Sequence, residues 1–450
     1  MSTHLHTLTA VAKRLRLYGY SLLLGCMIPV FTLSAATNAT SDAASDVATE
    51  LATGKALDFF NQRSLRSKGA GMPQRMLTST DLEIAYRSAN TVTNPVYGFQ
   101  RGTNGFVLVA HNAGEPVIVG YSTNGTLDGR RLPEALQMLL KSYEQTPAAE
   151  VKAPAKLPGD VPVVAPLLTQ HLDQFLHPEV GNCYTGCVAT AMVQLMAYYK
   201  YPDRGVGSNC YTHDAYGQLC ASFDSLYNWV NPTQADYQRL SYHMGIACNM
   251  DYCGSSDGSA PLNFSYYDVL QRHFKYYTHR GSTESYYIYN ELDQHRPVYI
   301  ELYGDPGHAV ILDGYDNLGY FHIDFGWGGN ENGYFMLNSN STFEVGYRFG
   351  TNIGGTVFAS PSPFEVNVQD SLALIALHEA SGFETGWDVT KPVVNWRGVL
   401  VMNGRVIGLT LDKALNCPLP ETLSQLTALR RLNLRGYLER TLPPFLMAMT

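Results

Sequence analysis

The segment "NCYTGCVATAMVQLMAYYKYP", residues 182–202, indicates a buried helix with a thiol at its start. After Cys187 the apolar residues recur at the spacing of one helix face, at Val188, Ala191, Met192, Leu195, Met196 and Tyr199. Pro202 ends this pattern, and Thr185 or Gly186 can cap the start of the helix. Cys187 is therefore expected at the positive end of the helix dipole, where a thiolate is stabilised. A neutral imidazole nearby could accept the thiol proton.

The other cysteine of the segment, Cys183, precedes the helix and gains nothing from its dipole. We interpret Cys183 as a disulfide partner. The position of Cys187 alone fits a nucleophile and a buried half-cystine equally well. The choice between them depends on whether the chain also provides a base.

Composition indicates a folded protein of several domains. The chain has 450 residues, of which 45% are hydrophobic and 16% charged, so it can form roughly two to four domains with buried cores. Its net charge of -8 argues against nucleic acid as a partner.

Residues 1–39 have the pattern of a bacterial export signal followed by a leader. Basic residues at 13–16 precede a mostly apolar run at 17–33, and small residues follow near Ala36. An uncleaved membrane anchor is the alternative, because the apolar run approaches spanning length. A lipoprotein acylation site at Cys26 is a third interpretation. Export predicts a secreted or cell-surface protein.

An exported protein folds in an oxidising compartment, where cysteines pair unless they have another role. Loss of Cys26 with the signal leaves seven of the eight cysteines. An odd number requires at least one unpaired thiol. No His/Cys cluster has the spacing of a zinc site, so no metal or other cofactor is expected.

The rest of the chain divides by composition. Residues 40–146 combine helical spacing with strands broken by turn signals, which predicts a small α+β unit, and residues 37–50 have the composition of a flexible leader. The proline-rich residues 147–165 predict an extended linker that is open to cleavage. Residues 166–360 hold every chemical motif, and 361–450 begin with another Pro/Ser stretch.

The C-terminal part contains a repeat. Leu409-x-Leu411 recurs as Leu432-x-Leu434, and Leu419-Pro420 recurs as Leu442-Pro443. Both offsets are 23 residues, the length of a leucine-rich repeat. A single amphipathic helix would explain the leucines but not the doubled Leu-Pro period. We therefore expect a short leucine-rich-repeat module that binds a protein partner.

A candidate base lies in residues 305–338, where two strand-like runs are joined by "DNLG", a hairpin signal. A turn at Asp316 and Asn317 would place His308 nearly opposite Asp324. A carboxylate beside an imidazole is the arrangement of a base and the group that orients it. His322 alternates to the other face and is expected to be a packed or exposed structural histidine.

Other residues could complete a cleft. Trp327, with Gly307 and Gly326 beside the hairpin, could wall a site for a peptide, although core packing explains Trp327 equally well. Gln174 precedes the thiol by 13 residues. A Gln side-chain N–H together with the Cys187 backbone N–H would suit an oxyanion hole.

Together these motifs resemble the streptopain family of papain-like cysteine peptidases. The family motif "TGCVATA" matches residues 185–191, and its "GHA" histidine motif matches 307–309. "HIDFGWGG" at 322–329 is similar to the family's "HVNWGWGG". "MDYCGSSDGSA" at 250–260 and the strands of the 40–146 unit also follow the family pattern, so the resemblance covers most of residues 50–358.

The resemblance implies an α+β fold in which a papain-like, two-subdomain peptidase follows a small inhibitory propeptide. It implies a secreted zymogen that hydrolyses protein or peptide substrates and is inhibited by its own propeptide. Cys187 would be the nucleophile, His308 the general base and acid, and Gln174 the oxyanion donor. Trp327 would line the active site, and Asp324, which stands where the family has Asn, would orient the imidazole.

The sequence also departs from the family. Phe325 replaces the first Trp of the "WGW" motif, and Leu172 replaces the Trp before the oxyanion Gln. Cys210, Cys220, Cys248 and Cys253 are additional cysteines that invite short-range disulfides. Two other functions therefore remain open: a binding protein built on an inactive peptidase scaffold, and acyl transfer to an amine by the same residues.

Overall fold

The computed structural model describes residues 33–67, 75–89, 94–112, 115–145, 162–254, 258–262, 268–280, 285–302, 307–337, 353–361, 365–402, 404–411, 417–434 and 443–447. The chain divides into two compact units, residues 1–46 and 47–450. Of the first unit only the helical residues from Leu33 onward are described, so the predicted signal lies mostly outside the described residues. The architecture below concerns the second unit.

The N-terminal part, called the N-terminal unit below, is small and of the α+β type, as the sequence predicts. It is not the same as the first compact unit, residues 1–46. Its elements are α1 (Leu33–Ser67), β1 (Glu83–Arg87), β2 (Val96–Gln100), β3 (Phe106–Asn112), β4 (Glu115–Ser122) and α2 (Glu134–Gln145). The expectation of a flexible leader at residues 37–50 is wrong, because these residues are helical. Alanine has the highest helix propensity, and this alanine-rich stretch extends a helix whose later turns are anchored in the core.

The central part carries most of the helices and strands. In chain order these are β5 (Pro162–Val164), β6 (Leu176–His177), β7 (Cys183–Tyr184), α3 (Cys187–Tyr199), β8 (Ser208–His213), β9 (Gly217–Ser222), α4 (Gln234–Ala247), β10 (Met250–Asp251), β11 (Ala260–Pro261), α5 (Val269–Phe274), β12 (Tyr277–Arg280), α6 (Ser285–Asp293), β13 (Val298–Leu302), β14 (His308–Asp316), β15 (Phe321–Asp324), β16 (Gly333–Phe335) and β17 (Ile353–Ser360). The mixed α+β class predicted from the sequence is confirmed. Among the described residues, no helix combines the length and apolar character that crossing a bilayer requires.

One sheet joins the N-terminal unit to the central part. Its strand order is β1-β2-β3-β4-β16-β15-β14-β13-β17-β12, and the junction is the antiparallel pairing of β4 with β16. The hydroxyl of Tyr121 on β4 donates to Asp316 at the end of β14 over 2.8 Å. The N-terminal unit is therefore an extension of the sheet of the central part and not a separate body.

Strands β13 and β14 are buried on both faces, and alternate residues enter two different cores. Ile300 and Val310 enter a core shared with α1 and α2, while Tyr299 and Ile311 enter a core built around α3 and α4. This alternation follows from the two-residue period of a strand. It places α3, which carries the candidate thiol, directly behind the strand that begins with His308.

The end of the predicted linker is a strand. β5 pairs with β14, with Val164 opposite Tyr315, so the expectation that all of 147–165 is extended linker is wrong for 162–164. Gly314 allows this approach, because a Cβ there would lie 2.7 Å from the Val164 carbonyl oxygen. Residues 146–161 lie outside the described residues.

The C-terminal part consists of α7 (Val368–Ala380), β18 (Val399–Met402), β19 (Arg405–Leu411), β20 (Arg431–Leu434) and α8 (Pro444–Met447). β19 and β20 pair in parallel, with Leu409 beside Leu432 and Leu411 beside Leu434. The leucines 23 positions apart in the sequence therefore lie side by side on adjacent strands. Their leucines face a separate hydrophobic core.

Two disulfides cross-link the central part. Cys183 pairs with Cys253 and Cys210 with Cys220, which confirms that Cys183 is a half-cystine. The first bond joins residues 70 apart in the sequence and the second joins residues 10 apart across the β8–β9 hairpin. Cys248 is a buried free thiol and takes no part in the expected short-range pairing.

The two disulfides should differ in their effect on stability. Because a cross-link restricts the unfolded chain more when it closes a longer loop, removing the Cys183–Cys253 bond should cost about 4 kcal/mol and removing Cys210–Cys220 about 3 kcal/mol. Urea unfolding of Cys183→Ala/Cys253→Ala and of Cys210→Ala/Cys220→Ala, each against the unmodified protein, measures both costs. A larger loss from the hairpin pair would contradict this ranking.

Candidate active site

Cys187 is the first residue of α3. The residue before it, Gly186, caps the helix with φ +88°, and a Cβ there would lie 2.6 Å from the Ser259 carbonyl oxygen. Glycine is required here because other residues disfavour this conformation and would collide. Thr185 does not cap the helix; its hydroxyl accepts a hydrogen bond from the Phe175 backbone N–H over 3.2 Å. Since α3 is buried along most of its length, the thiol is held in a fixed place.

His308, the first residue of β14, faces Cys187 and is almost fully buried. Burial of the thiol opposes its ionisation, but attraction to the His308 imidazolium together with hydrogen bonds from His308 and the Ala309 backbone lowers the pKa of Cys187. Burial alone would lower the pKa of His308, whereas the Cys187 thiolate and the Glu134 carboxylate raise it. Both shifts favour a thiolate–imidazolium pair.

Glu134 is a residue that the sequence motifs did not indicate. It begins α2 of the N-terminal unit, and its Oε2 lies 3.5 Å from His308 Nδ1. The interaction with His308 lowers the pKa of Glu134. The N-terminal unit therefore supplies the carboxylate that contacts this imidazole. No sequence motif marks this residue, because most of the central part of the chain separates it from His308.

Asp324 does not contact His308, and the expected pairing is wrong. In the hairpin Asp324 lies opposite Ile311, so the register differs from the expected one by three residues. The difference arises because the turn spans Asp316 to Tyr320, and the backbone N–H groups of Leu318 and Tyr320 donate to the Asp316 carboxylate. This longer turn moves the centre of the hairpin beyond "DN", and the irregularity in β14 near Asp313 reduces the shift by one residue.

Asp324 instead contacts His171. Its Oδ2 lies 2.6 Å from His171 Nδ1 and accepts a hydrogen bond from Asn332 over 2.9 Å. The hydrogen bond to Asp324 raises the pKa of His171. His322, expected to be structural, is packed and lies 2.5 Å from Asp313. His171 was missed, although its place three residues before Gln174 was a signal that could have found it.

A cleft of about 360 Å³ opens beside the thiol. It is lined by Cys187, His308, Gln174, Trp327 and Gly307, together with Glu134. The sequence-predicted residues are therefore brought together, with two exceptions. Asp324 lies behind the cleft, and Gly326 packs toward Thr190 on α3, its N–H donating to Asp324 over 2.9 Å.

The substituted aromatic residues lie in the cores. Phe325 is buried and packs edge-to-face on Phe335, with ring centroids 5.3 Å apart. Leu172 is buried in the core around α3. Neither residue lines the cleft, so in this structure these departures from the family pattern change core packing and leave the cleft wall to Trp327.

Within the described ranges, no three His, Cys, Asp or Glu side chains gather as a metal site.

A half-buried thiol at a helix start, an adjacent buried imidazole and a cleft beside them define the class of thiol-dependent hydrolases. Comparisons with known proteins agree. The model of the Peptidase C10 family matches residues 169–335, and the model of the Spi protease inhibitor family matches residues 44–146. Residues 169–335 are therefore similar to the cysteine peptidases of the Peptidase C10 family, in agreement with the resemblance predicted from the motifs.

The chain is similar to two curated relatives. It is 32% identical over 311 residues to the thiol protease/hemagglutinin PrtT of Porphyromonas gingivalis, covering 58% of this chain but only 36% of that protein. It is 29% identical over 304 residues to streptopain of Streptococcus pyogenes, covering 56% of this chain and 76% of streptopain. A solved fragment of Prevotella intermedia prointerpain A aligns with 23% identity and a TM-score of 0.48 over 63% of this chain and 99% of the fragment.

The electrostatics of the pair predict the pH dependence of thiol reactivity. Because the pKa of Cys187 is lowered, its alkylation by iodoacetamide should persist below the pH at which ordinary thiols lose reactivity, and decline as the pH falls through that lowered pKa. His308→Ala should restore an ordinary thiol and slow alkylation at about pH 6 by at least tenfold.

Mass spectrometry of the Cys187 peptide measures these rates. The buried Cys248, whose pKa is raised to about 12 by burial, serves as an internal control that should stay unmodified in the folded protein. Equal rates for the unmodified protein and His308→Ala at about pH 6 would show that the imidazole does not stabilise the thiolate.

Proposed function

We propose that this protein is an exported cysteine endopeptidase made as a zymogen. The observation that carries the proposal is the Cys187–His308 pair in a cleft that also holds Glu134 of the N-terminal unit. The match of residues 169–335 to the Peptidase C10 family supports the reaction class and proteins or peptides as the substrates.

In this mechanism His308 holds the proton of Cys187, and the thiolate attacks the carbonyl carbon of the scissile peptide bond. The C–N bond then breaks as His308 gives its proton to the leaving amine, which forms an acyl-thioester on Cys187. A water molecule, deprotonated by His308, attacks the thioester and releases the acid product. Each step moves one proton through one imidazole.

The oxyanion that forms in both steps would be stabilised by the backbone N–H of Cys187 and by the side chain of Gln174, which both border the cleft. The first N–H groups of a helix have no partner within the helix, so the Cys187 N–H would be free to donate to the oxyanion. The backbone beside Gln174 is held near the thiol, because the next residue, Phe175, is hydrogen-bonded to Thr185, two residues before Cys187. From this position the Gln174 side-chain N–H would donate to the oxyanion.

Latency would arise from the N-terminal unit, which acts as an inhibitory propeptide. It continues the catalytic sheet through β4, shares a core with it, and brings Glu134 to His308. A carboxylate in the cleft occupies space that a substrate needs and holds the imidazolium. Cleavage in residues 147–161 of the predicted linker would free the unit, and the match to the Spi protease inhibitor family supports this role.

The C-terminal part would be a leucine-rich-repeat module that recruits a protein partner. Its support is the parallel pairing of leucines 23 residues apart and the separate core beneath them. A secreted or cell-surface location is supported by the sequence of residues 1–39. An inactive scaffold that only binds partners is the alternative, and the pairing of Cys187 with His308 argues against it.

Cys187→Ala should abolish hydrolysis of unfolded casein by the purified precursor, because the acyl-thioester can no longer form. If activation is autocatalytic, the same variant should also keep its propeptide, which a gel follows in the same samples. Control samples of Cys248→Ala, which changes a buried thiol outside the cleft, should still cleave casein. Normal casein hydrolysis by Cys187→Ala would exclude this mechanism.

Gln174→Ala should lower kcat about 100- to 1,000-fold with little change in KM, because it removes an oxyanion donor that acts in the transition state. Steady-state hydrolysis of a fluorogenic peptide by the processed enzyme measures both constants. Gln218→Ala, at an exposed position on β9, is the matched control. A kcat within twofold of the unmodified enzyme would remove Gln174 from the oxyanion hole.

Glu134→Gln should speed release of the active enzyme, because the isosteric amide keeps the shape of the propeptide but loses the charge that attracts His308. The expected change is about a two- to fivefold faster onset of peptide hydrolysis, as for a partly exposed ion pair. Glu50→Gln, an exposed position on α1, controls for the same substitution in the same unit. An unchanged onset would mean that Glu134 does not contribute to latency.

A further inference from the structure

A second polar cluster lies behind the cleft, formed by His171, Asp324 and Asn332. His171 Nδ1 is 2.6 Å from Asp324 Oδ2, and Asn332 Nδ2 donates to the same oxygen over 2.9 Å. Asp324 is fully buried, whereas the His171 side chain is 37% exposed. None of these side chains contacts Cys187 or His308, so the mechanism above does not use them.

The cluster is linked to the loop that carries Trp327. The other Asp324 oxygen, Oδ1, accepts the Gly326 N–H over 2.9 Å, and Asn332 Oδ1 accepts the Phe325 N–H over 3.1 Å. Gly329 packs against His171, and a Cβ at Gly329 would lie 3.2 Å from the His171 Cβ. A buried carboxylate is costly without partners, so Asp324 fixes the groups that satisfy it.

The cluster is also linked to the segment that carries Gln174. The Leu172 N–H donates to Gln194 on α3 over 3.0 Å, and the Leu172 carbonyl accepts the Gly328 N–H over 3.0 Å. Beyond Gln174, Phe175 and Thr185 exchange hydrogen bonds. His171 adds a side-chain contact from this segment to the buried Asp324 carboxylate at the end of β15. Gln174 thus lies between two anchors, one of which is the His171–Asp324 pair.

We propose that His171 is a positioning residue that, through Asp324, holds the Gln174 segment and the Trp327 loop in the geometry needed for oxyanion stabilisation. This inference rests on the proposed peptidase function and assigns Asp324 to the oxyanion side of the site instead of the imidazole side. The physical reason is that a displacement of about 1 Å in a group that acts on the transition state can lower the rate by up to about 100-fold.

The test compares three single variants and the double variant His171→Leu/Asp324→Asn of the full chain, processed at the linker by an added protease where they do not process themselves. His171→Leu removes the contact. His171→Asn keeps it, because the Asn Nδ2 can take the place of His Nδ1 and donate to Asp324. Asp324→Asn removes the charge of the partner and completes a double-mutant cycle with His171→Leu.

Three properties are measured on each variant: kcat and KM for a fluorogenic peptide, the rate of Cys187 alkylation by iodoacetamide, and the midpoint of thermal unfolding. Alkylation needs the thiolate but forms no oxyanion, so it separates the two sides of the site. His171→Leu should lower kcat about 10- to 100-fold, with KM and the alkylation rate within about twofold. His171→Asn should recover most of kcat, and the double variant should lose no more than the larger single effect.

The contrary outcomes are distinct. An unchanged kcat in His171→Leu, or a His171→Asn variant no better than His171→Leu, overturns the positioning role. A parallel fall of kcat, alkylation rate and unfolding midpoint would show a structural role only and would overturn it too. Absence of Cys187-dependent hydrolysis in the unmodified, processed protein would instead overturn the proposed function, and this inference with it.

Discussion

The attraction between the Cys187 thiolate and the His308 imidazolium is the interaction on which the site depends. It is strengthened because His308 is buried and Cys187 is half-buried, and it requires that two rigid elements meet at their first residues. Helix α3 begins at Cys187 and strand β14 begins at His308. The two elements pack face to face through the core that contains Ile311, so the pair is positioned by the interior of the protein and not by flexible loops.

In the proposed zymogen, the same packing makes the N-terminal unit an effective inhibitor. A segment that only filled the cleft would compete with substrate at a single surface. Here the N-terminal unit adds four strands to the catalytic sheet and contributes α1 and α2 to its core. The contact between Glu134 and His308 is then one part of a large interface, and it is the part that involves the histidine of the proposed mechanism. Removal of the unit would expose both the β16 edge and the cleft.

Local sequence patterns predicted the features that depend on local physics. The apolar spacing after Cys187 predicted α3, turn signals predicted the strands of the N-terminal unit, and the position of Cys183 outside the helix predicted a disulfide. The streptopain-like motifs then predicted the family and the meeting of Cys187, His308 and Gln174. These successes share one cause, since a helix face or a short motif is encoded within about 20 residues.

The predictions that failed concern geometry that is set at longer range. The hairpin turn looked like a two-residue signal at Asp316, but the Asp316 carboxylate binds backbone N–H groups beyond it and lengthens the turn. The longer turn shifts Asp324 away from His308, and the irregularity in β14, beside the pairing with β5, offsets one residue of that shift. The Glu134 contact has no sequence signal of its own. The place of His171 near Gln174 could indicate that residue but not its contact with Asp324, because each of these contacts joins distant parts of the chain.

The central claim is that the start of α3 forms both the nucleophile and the oxyanion site. The most direct test is a crystal structure of the processed enzyme with a peptide aldehyde, which forms a thiohemiacetal with an active thiol. The account predicts a bond from Cys187 Sγ to the aldehyde carbon, with the new oxygen within hydrogen-bonding distance of the Cys187 N–H and the Gln174 side chain. An unmodified Cys187, or an oxygen bound elsewhere with Gln174 turned away, would contradict it.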